Sequence, residues 1–135
     1  MYPIKKLEGV EGAFFGVYDG HGGSWCANYL RDNLHELIFN DPYFPKHIKA
    51  AIRNAFLKAE REIIRNAIHE EETKRVGSCA VVVLIVGKYM YVANLGDSRV
   101  IISGYFDVLK LETTVRKYLD VQRIINQVKR TRSKE

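Results

Sequence analysis

Between Pro45 and Glu70, apolar residues recur at three- and four-residue steps: Ile48, Ile52, Ala55, Phe56, Ala59, Ile63 and Ala67. Lys49, Arg53, Glu60, Arg61 and Glu62 occupy the remaining positions. That period predicts a long amphipathic helix, with Pro45 suited to its first turn and its end near Glu70. Upstream, Trp25, Leu30, Leu34, Leu37 and Ile38 fall near one helical face, while Arg31, Asp32 and Glu36 lie elsewhere. Ser24 is placed to cap this first helix through its hydroxyl, and Asn40-Asp41-Pro42 to end it. From Gly77 the period changes. "AVVVLIV" is a continuous apolar run rich in β-branched residues, which predicts a strand buried on both faces. Gly87-Lys88 reads as a hairpin turn, "YMYVANL" as the returning strand, Gly96-Asp97 as a second turn and "RVIIS" as a third strand. Ala13–Tyr18, short and aromatic-rich, predicts a strand ahead of both helices. Segregated helices and strands indicate an α+β layered fold. The expected arrangement packs both helices side by side on one face of the sheet, with Ile52, Phe56, Ala59 and Ile63 against "AVVVLIV".

The stretch "FFGVYDGHGGSW" raises a chemical question. A buried strand stops at an acid, and an imidazole follows on a glycine-rich turn. Asp-Gly is a common turn dipeptide, and a surface histidine is commonly just solvated. The other reading is chemical. Asp19 at a strand end is a candidate ligand for a hard cation such as Mg²⁺ or Mn²⁺, which takes carboxylate and carbonyl oxygens. Gly20 has no Cβ to keep its carbonyl from the same ion. His21 is a candidate proton donor.

Composition sets the outer bounds. The chain has 135 residues, 47% hydrophobic and 27% charged, which suits one globular domain. No apolar run is long enough to span a membrane, so none is expected as a partner. Cys26 and Cys79 form no CxxC pair and are expected to be small buried hydrophobes in a reducing, intracellular setting, cytoplasmic and/or nuclear. The net charge of +5 arises entirely after Asp107: residues 1–107 hold 13 basic and 13 acidic residues, and residues 108–135 hold 8 and 3. The chain therefore divides into residues 1–107 and a divergent basic, helical C-terminal tail, 108–135. The tail ends "NQVKRTRSKE", which has basic residues but no interleaved aromatics, and that argues against nucleic-acid reading.

Two blocks carry a family resemblance. "FFGVYDGHGG" resembles a signature of the protein phosphatase 2C family, the metal-dependent Ser/Thr phosphatases. "GSCAVVVLIVGKYMYVANLGDSR" resembles the family's second block, in the same order and likewise separated by two helices. The resemblance runs from about Gly12 to Gly104. It implies a partial αββα sandwich: strand, two long antiparallel helices, antiparallel meander and C-terminal helix. It implies that Asp19 bridges two Mg²⁺ or Mn²⁺ ions, that Gly20 offers its carbonyl to one of them, and that His21 is the general acid to the leaving oxygen. Asn94, Gly96, Asp97, Ser98 and Arg99 match positions that shape the second block, with Asp97 read as a turn and hydrogen-bonding residue. The implied reaction is attack on a phosphomonoester by a metal-activated water, and the implied partners are a phosphoprotein substrate or a regulatory protein.

The departures from the family pattern are specific. Glu8 and Glu11 precede the first block, but no copy of the family's upstream strand, with its phosphate-holding arginine and acid, is recognisable. The later Asp-Gly and Asp-Asn blocks find no match, and the Asp-His-x-Pro element is replaced by "TTVRKY". The expectation is a truncated or degenerate member, inactive by itself because most metal ligands are missing. The alternative is a non-catalytic pseudophosphatase that acts as a binding module, or a gene fragment. A small basic nucleic-acid-associated domain is the reading from a different class, and the two matched blocks weigh against it.

Overall fold

The computed structural model describes residues 11–69, 76–101, 110–113 and 119–120, the last two segments for their backbone. Strand β1 spans Gly12–Val17 and a two-residue strand, β2, spans Gly20–His21. Helices α1 (Trp25–Phe39) and α2 (Ile48–His69) follow. Then come β3 (Gly77–Ser78), β4 (Ala80–Val86), β5 (Tyr89–Leu95), β6 (Lys110–Thr113) and β7 (Leu119–Asp120). The described residues are α+β, with two helices and antiparallel strand pairs.

The larger sheet has the order β1-β4-β5-β6. β4 is central and antiparallel to both neighbours, with Phe14 opposite Leu84 and Leu84 opposite Tyr91. Side chains alternate across a strand, so this register sends Phe14, Val82, Leu84, Ala93 and Leu95 to one face. All five belong to the core cluster shared with Leu30, Leu34 and Ile38 of α1 and Ile52, Phe56, Ala59 and Ile63 of α2. The helix pair therefore packs on that face, as the periodicity requires. At roughly 1.5–3 kcal/mol for each large apolar side chain taken out of water, this layer is the main source of stability.

The other face differs from expectation. Phe15 and Val17 are 48% and 63% exposed, and Val83, Ile85 and Met90 are half-buried. "AVVVLIV" is thus buried at Ala80, Val82 and Leu84 on its helix side, with Val86 half-buried, and less completely on the other. Val81 and Val92 are buried on the opposite side.

Four further expectations are corrected. Ser24 precedes α1, but at φ −95° and ψ −10° its backbone is already helical and its hydroxyl makes no cap hydrogen bond. Its carbonyl instead accepts from the Asn28 N–H at 2.9 Å. Pro45 lies three residues ahead of α2 rather than in its first turn. Asp41 organises the segment between the helices, accepting from the Tyr43 N–H through Oδ1 (2.9 Å) and from Asn54 Nδ2 through Oδ2 (3.2 Å), while Phe44 is buried. "RVIIS" gives no strand in its described part, Arg99–Ile101, and Ser103 lies outside the described residues. The neighbour of β5 is β6, and it runs parallel. Parallel neighbours need a connection of a dozen or more residues, and residues 96–109 provide it. The basic tail is not helical throughout, because Lys110–Thr113 and Leu119–Asp120 are strands. The rest of the tail expected to be helical, 108–109, 114–118 and 121–135, lies outside the described residues.

Candidate functional site

Asp19 follows the end of β1 and is exposed, as are Gly20 and His21. The turn is more firmly held than its glycines suggest. Gly20 and His21 pair with Ser78 and Gly77 of β3, which in turn pairs with β7. The Asp19 carbonyl accepts a hydrogen bond from the Cys79 N–H at 2.8 Å. This bond and the β2–β3 pairing fix the backbone on both sides of the Asp19 carboxylate while leaving the side chain open to solvent.

Gly20 has a steric reason to be glycine. A Cβ there would stand 3.1 Å from both the Ala27 Cβ and the Gly23 carbonyl oxygen. The turn lies close against the start of α1, and any side chain at Gly20 would push the two apart.

The second block meets this turn through Cys79. Its thiol donates to Asp97 Oδ1 at 3.1 Å. Gly96, at φ +104°, packs so closely on Cys79 that a Cβ would stand 2.6 Å from Sγ. Asn94 Nδ2 donates to the Ser98 carbonyl at 2.5 Å, closing the loop after β5. Asp97 is therefore a turn and hydrogen-bonding residue, in keeping with its reading from the sequence. Burial raises the Cys79 thiol above its ordinary pKa, with the Asp97 and Asp19 carboxylates adding to the effect and an Asp97 backbone hydrogen bond opposing it. Cys79 stays a neutral thiol that can donate.

Sequence reasoning treated Cys79 as one more small buried hydrophobe. Buried it is, and both cysteines are free thiols. Its role as the junction between the two blocks was missed. The available signal was its place between Ser78 and Ala80, where the backbone leaves one short strand and enters a long one.

Among the described residues, no group of three or more His, Cys, Asp or Glu side chains gathers to hold a metal ion. Asp19 supplies one open carboxylate to the turn. Hard dications need several oxygens in fixed geometry, so the described donors do not by themselves fit a two-metal centre.

The protein phosphatase 2C family profile matches residues 5–114. The chain belongs to the protein phosphatase 2C family. It is 38% identical over 105 residues to the probable protein phosphatase 2C 52 of Oryza sativa subsp. japonica, covering 76% of this chain and 21% of that protein. It is 36% identical over 108 residues to the probable protein phosphatase 2C member 13, mitochondrial, of the same plant (76% and 28%). It is 37% identical over 106 residues to the probable protein phosphatase 2C 35 of Arabidopsis thaliana (76% and 30%). The chain thus spans between a fifth and a third of the length of these relatives. The family is metal-dependent and acts on phosphoproteins. Among the described residues, no helix is long and apolar enough to cross a membrane.

Proposed function

We propose that this chain supplies the N-terminal part of a metal-dependent Ser/Thr phosphatase domain and does not hydrolyse phosphomonoesters by itself. The observation that carries the reading is the Asp19-Gly20-His21 turn, pinned to β3 and Cys79 in a chain of this family. Asp19 would offer a carboxylate, and Gly20 its carbonyl oxygen, to a divalent metal at this turn. Divalent metals there would lower the pKa of bound water and stabilise charge on the phosphoryl oxygens. Further carboxylates must come from outside the described residues. His21 gives a proton to the departing serine or threonine oxygen. The half-open sheet face bearing Phe15 and Val17 receives the second sheet of an αββα sandwich.

The physical case for inactivity of the chain alone is one of magnitude. Phosphate-monoester hydrolysis needs a rate enhancement of up to about 10²¹ over the uncatalysed reaction. A general acid supplies about 10²–10⁴. One carboxylate and one imidazole leave most of the barrier in place.

The test uses two proteins: the chain alone, and the chain fused to the downstream portion of a plant relative. With excess Mn²⁺, the chain alone gives no turnover of a phosphoserine peptide above a metal-only blank. The fusion hydrolyses the peptide, and Asp19→Asn removes that activity. His21→Gln slows phosphoserine release by about 10²–10⁴ but barely affects an aryl phosphate, whose leaving group needs no proton. Metal-dependent turnover by the chain alone, lost in Asp19→Ala, would overturn the proposal. The non-catalytic binding-module reading, favoured by the sparse donor set, predicts an inactive fusion as well.

A further inference from the structure

A cavity of about 370 Å³ opens between α1 and α2, towards the end where the two helices are joined. Glu36 and Leu37 line it from α1, Ala55, Lys58 and Arg61 from α2, and Asp41 from the turn between them. Residues three and four apart share one side of a helix, so each helix presents a single stripe to the space. The charges are sorted by wall. α1 and the turn bring acids, Glu36 and Asp41, and no base; α2 brings bases, Lys58 and Arg61, and no acid.

The opposite charges stay apart across this space. Among the described residues, none of the four makes an ion pair. Two of them are held from behind instead. Asp41 accepts from the Tyr43 N–H through Oδ1 and from Asn54 Nδ2 through Oδ2. Each carboxylate oxygen has a second lone pair, so Asp41 can still accept from a cation. Arg61 donates from Nε to the Leu57 carbonyl at 3.2 Å. That leaves its two terminal nitrogens for a planar carboxylate. Beneath the exposed charges, half-buried Leu37 and buried Ala55 supply an apolar floor.

We propose that this cavity binds a small zwitterion of the α-amino-acid class. Its ammonium group lies towards Glu36 and Asp41, its carboxylate towards Arg61 and Lys58, and an aliphatic side chain on Leu37 and Ala55. The volume is at the small end of ligand sites, which run from about 300 to 1,000 Å³. An anion alone would meet the two acids, and a cation alone the two bases; a ligand carrying both signs avoids either repulsion. Glu36, Lys58 and Arg61 are exposed, and an exposed charge pair is worth little by itself, so affinity requires both ends of the ligand at once. The Asp19 turn abuts the start of α1, where Gly20 meets Ala27, and the cavity lies towards the other end of that helix. The inference does not rest on the phosphatase reading.

The test is a titration of the full chain, followed by backbone amide chemical shifts, with L-leucine, N-acetyl-L-leucine and L-leucinamide. The second probe lacks the ammonium charge and the third lacks the carboxylate. L-Leucine binds saturably at millimolar concentration and shifts the amides of Leu37, Ala55 and Lys58. Each derivative binds more weakly by about tenfold or more. Glu36→Gln narrows the gap between leucine and its N-acetyl form, and Arg61→Gln narrows the gap between leucine and its amide. Both side chains are exposed, so the variants melt with the parent; Lys58→Gln gives a second reading of the carboxylate end if Arg61→Gln disturbs the helix. Absence of saturable leucine binding at the cavity overturns the proposal. So does a derivative that binds as tightly as leucine, which marks a site for one sign of charge, and so do gaps that the variants leave unchanged. No turnover enters the measurement, so its failure is distinct from failure of the proposed activity.

Discussion

Substituting Gly96 by alanine tests whether the two sequence blocks are joined as described. Two costs arise. At φ +104° the backbone is in a region that L-residues avoid, worth about 1–3 kcal/mol. The new Cβ would also stand 2.6 Å from Cys79 Sγ and 3.0 Å from its Cβ, and relieving such overpacking costs about 1–3 kcal/mol. The sum is about 2–6 kcal/mol, which lowers the melting midpoint by roughly 6–20 °C for a chain of this size. Removing the sulfur with Cys79→Ala in the same chain relieves the closest contact but not the backbone strain. A double-mutant cycle should therefore give a coupling of about 1–2 kcal/mol between the two positions.

The same change reaches the candidate site. Cys79 is pushed from Gly96, and its N–H is the donor to the Asp19 carbonyl at 2.8 Å. Amide hydrogen exchange at Cys79 should accelerate in Gly96→Ala more than the fall in global stability accounts for. Gly87→Ala is the control, because Gly87 has φ +56° on an exposed hairpin turn and carries the backbone cost alone. An unchanged melting midpoint in Gly96→Ala, or a Cys79 amide that stays as protected as in the parent, would refute the junction.

Two other outcomes follow from the geometry. Mn²⁺ should bind this chain weakly, with a dissociation constant on the order of 10⁻³ M as for sparse oxygen sites, and Asp19→Asn should abolish it; tight two-site binding in titration calorimetry would contradict the donor set described. Burial pushes the Cys26 thiol up to about 12, so folding favours its neutral form; that stability is full below pH 9 and is lost as pH rises from 9 towards 12, at about 1.4 kcal/mol per unit. Thermal melts across this window should show a fall that is reduced in Cys26→Ala, and a slope identical in both proteins would rule out the cause.

Much of the fold was legible because its signals are local. The long helix follows from seven apolar positions in register, all of which are buried. The β4–β5 hairpin follows from β-branched runs flanking Gly87, which takes a positive φ. Where the sequence misled, a longer-range partner decided the outcome. β2 is only Gly20 and His21, too short to leave a period, and exists because β3 is beside it. β6 was hidden in a basic stretch read as helix, and its parallel pairing with β5 depends on a distant register. "RVIIS" has strand composition, but its described part, Arg99–Ile101, forms no strand and follows a loop closed by the Asn94–Ser98 hydrogen bond with a positive φ at Gly96.

The site divides along the same line. Asp19, Gly20 and His21 could be named from a contiguous string, because their chemistry lies in residue type and in the end of one strand. What holds them could not. The turn's rigidity comes from a pairing across some 57 residues of chain, Gly20 with Ser78, and from a cysteine whose backbone serves one block and whose thiol serves the other. A thiol pairs with a carboxylate only while it stays protonated, and burial beside Asp97 and Asp19 keeps it so. The same burial that makes Cys79 look like ordinary core thus lets it donate to Asp97. A methyl in its place would fill much of the space but leave the Asp97 carboxylate without its donor, so the position is set by hydrogen bonding as well as by volume.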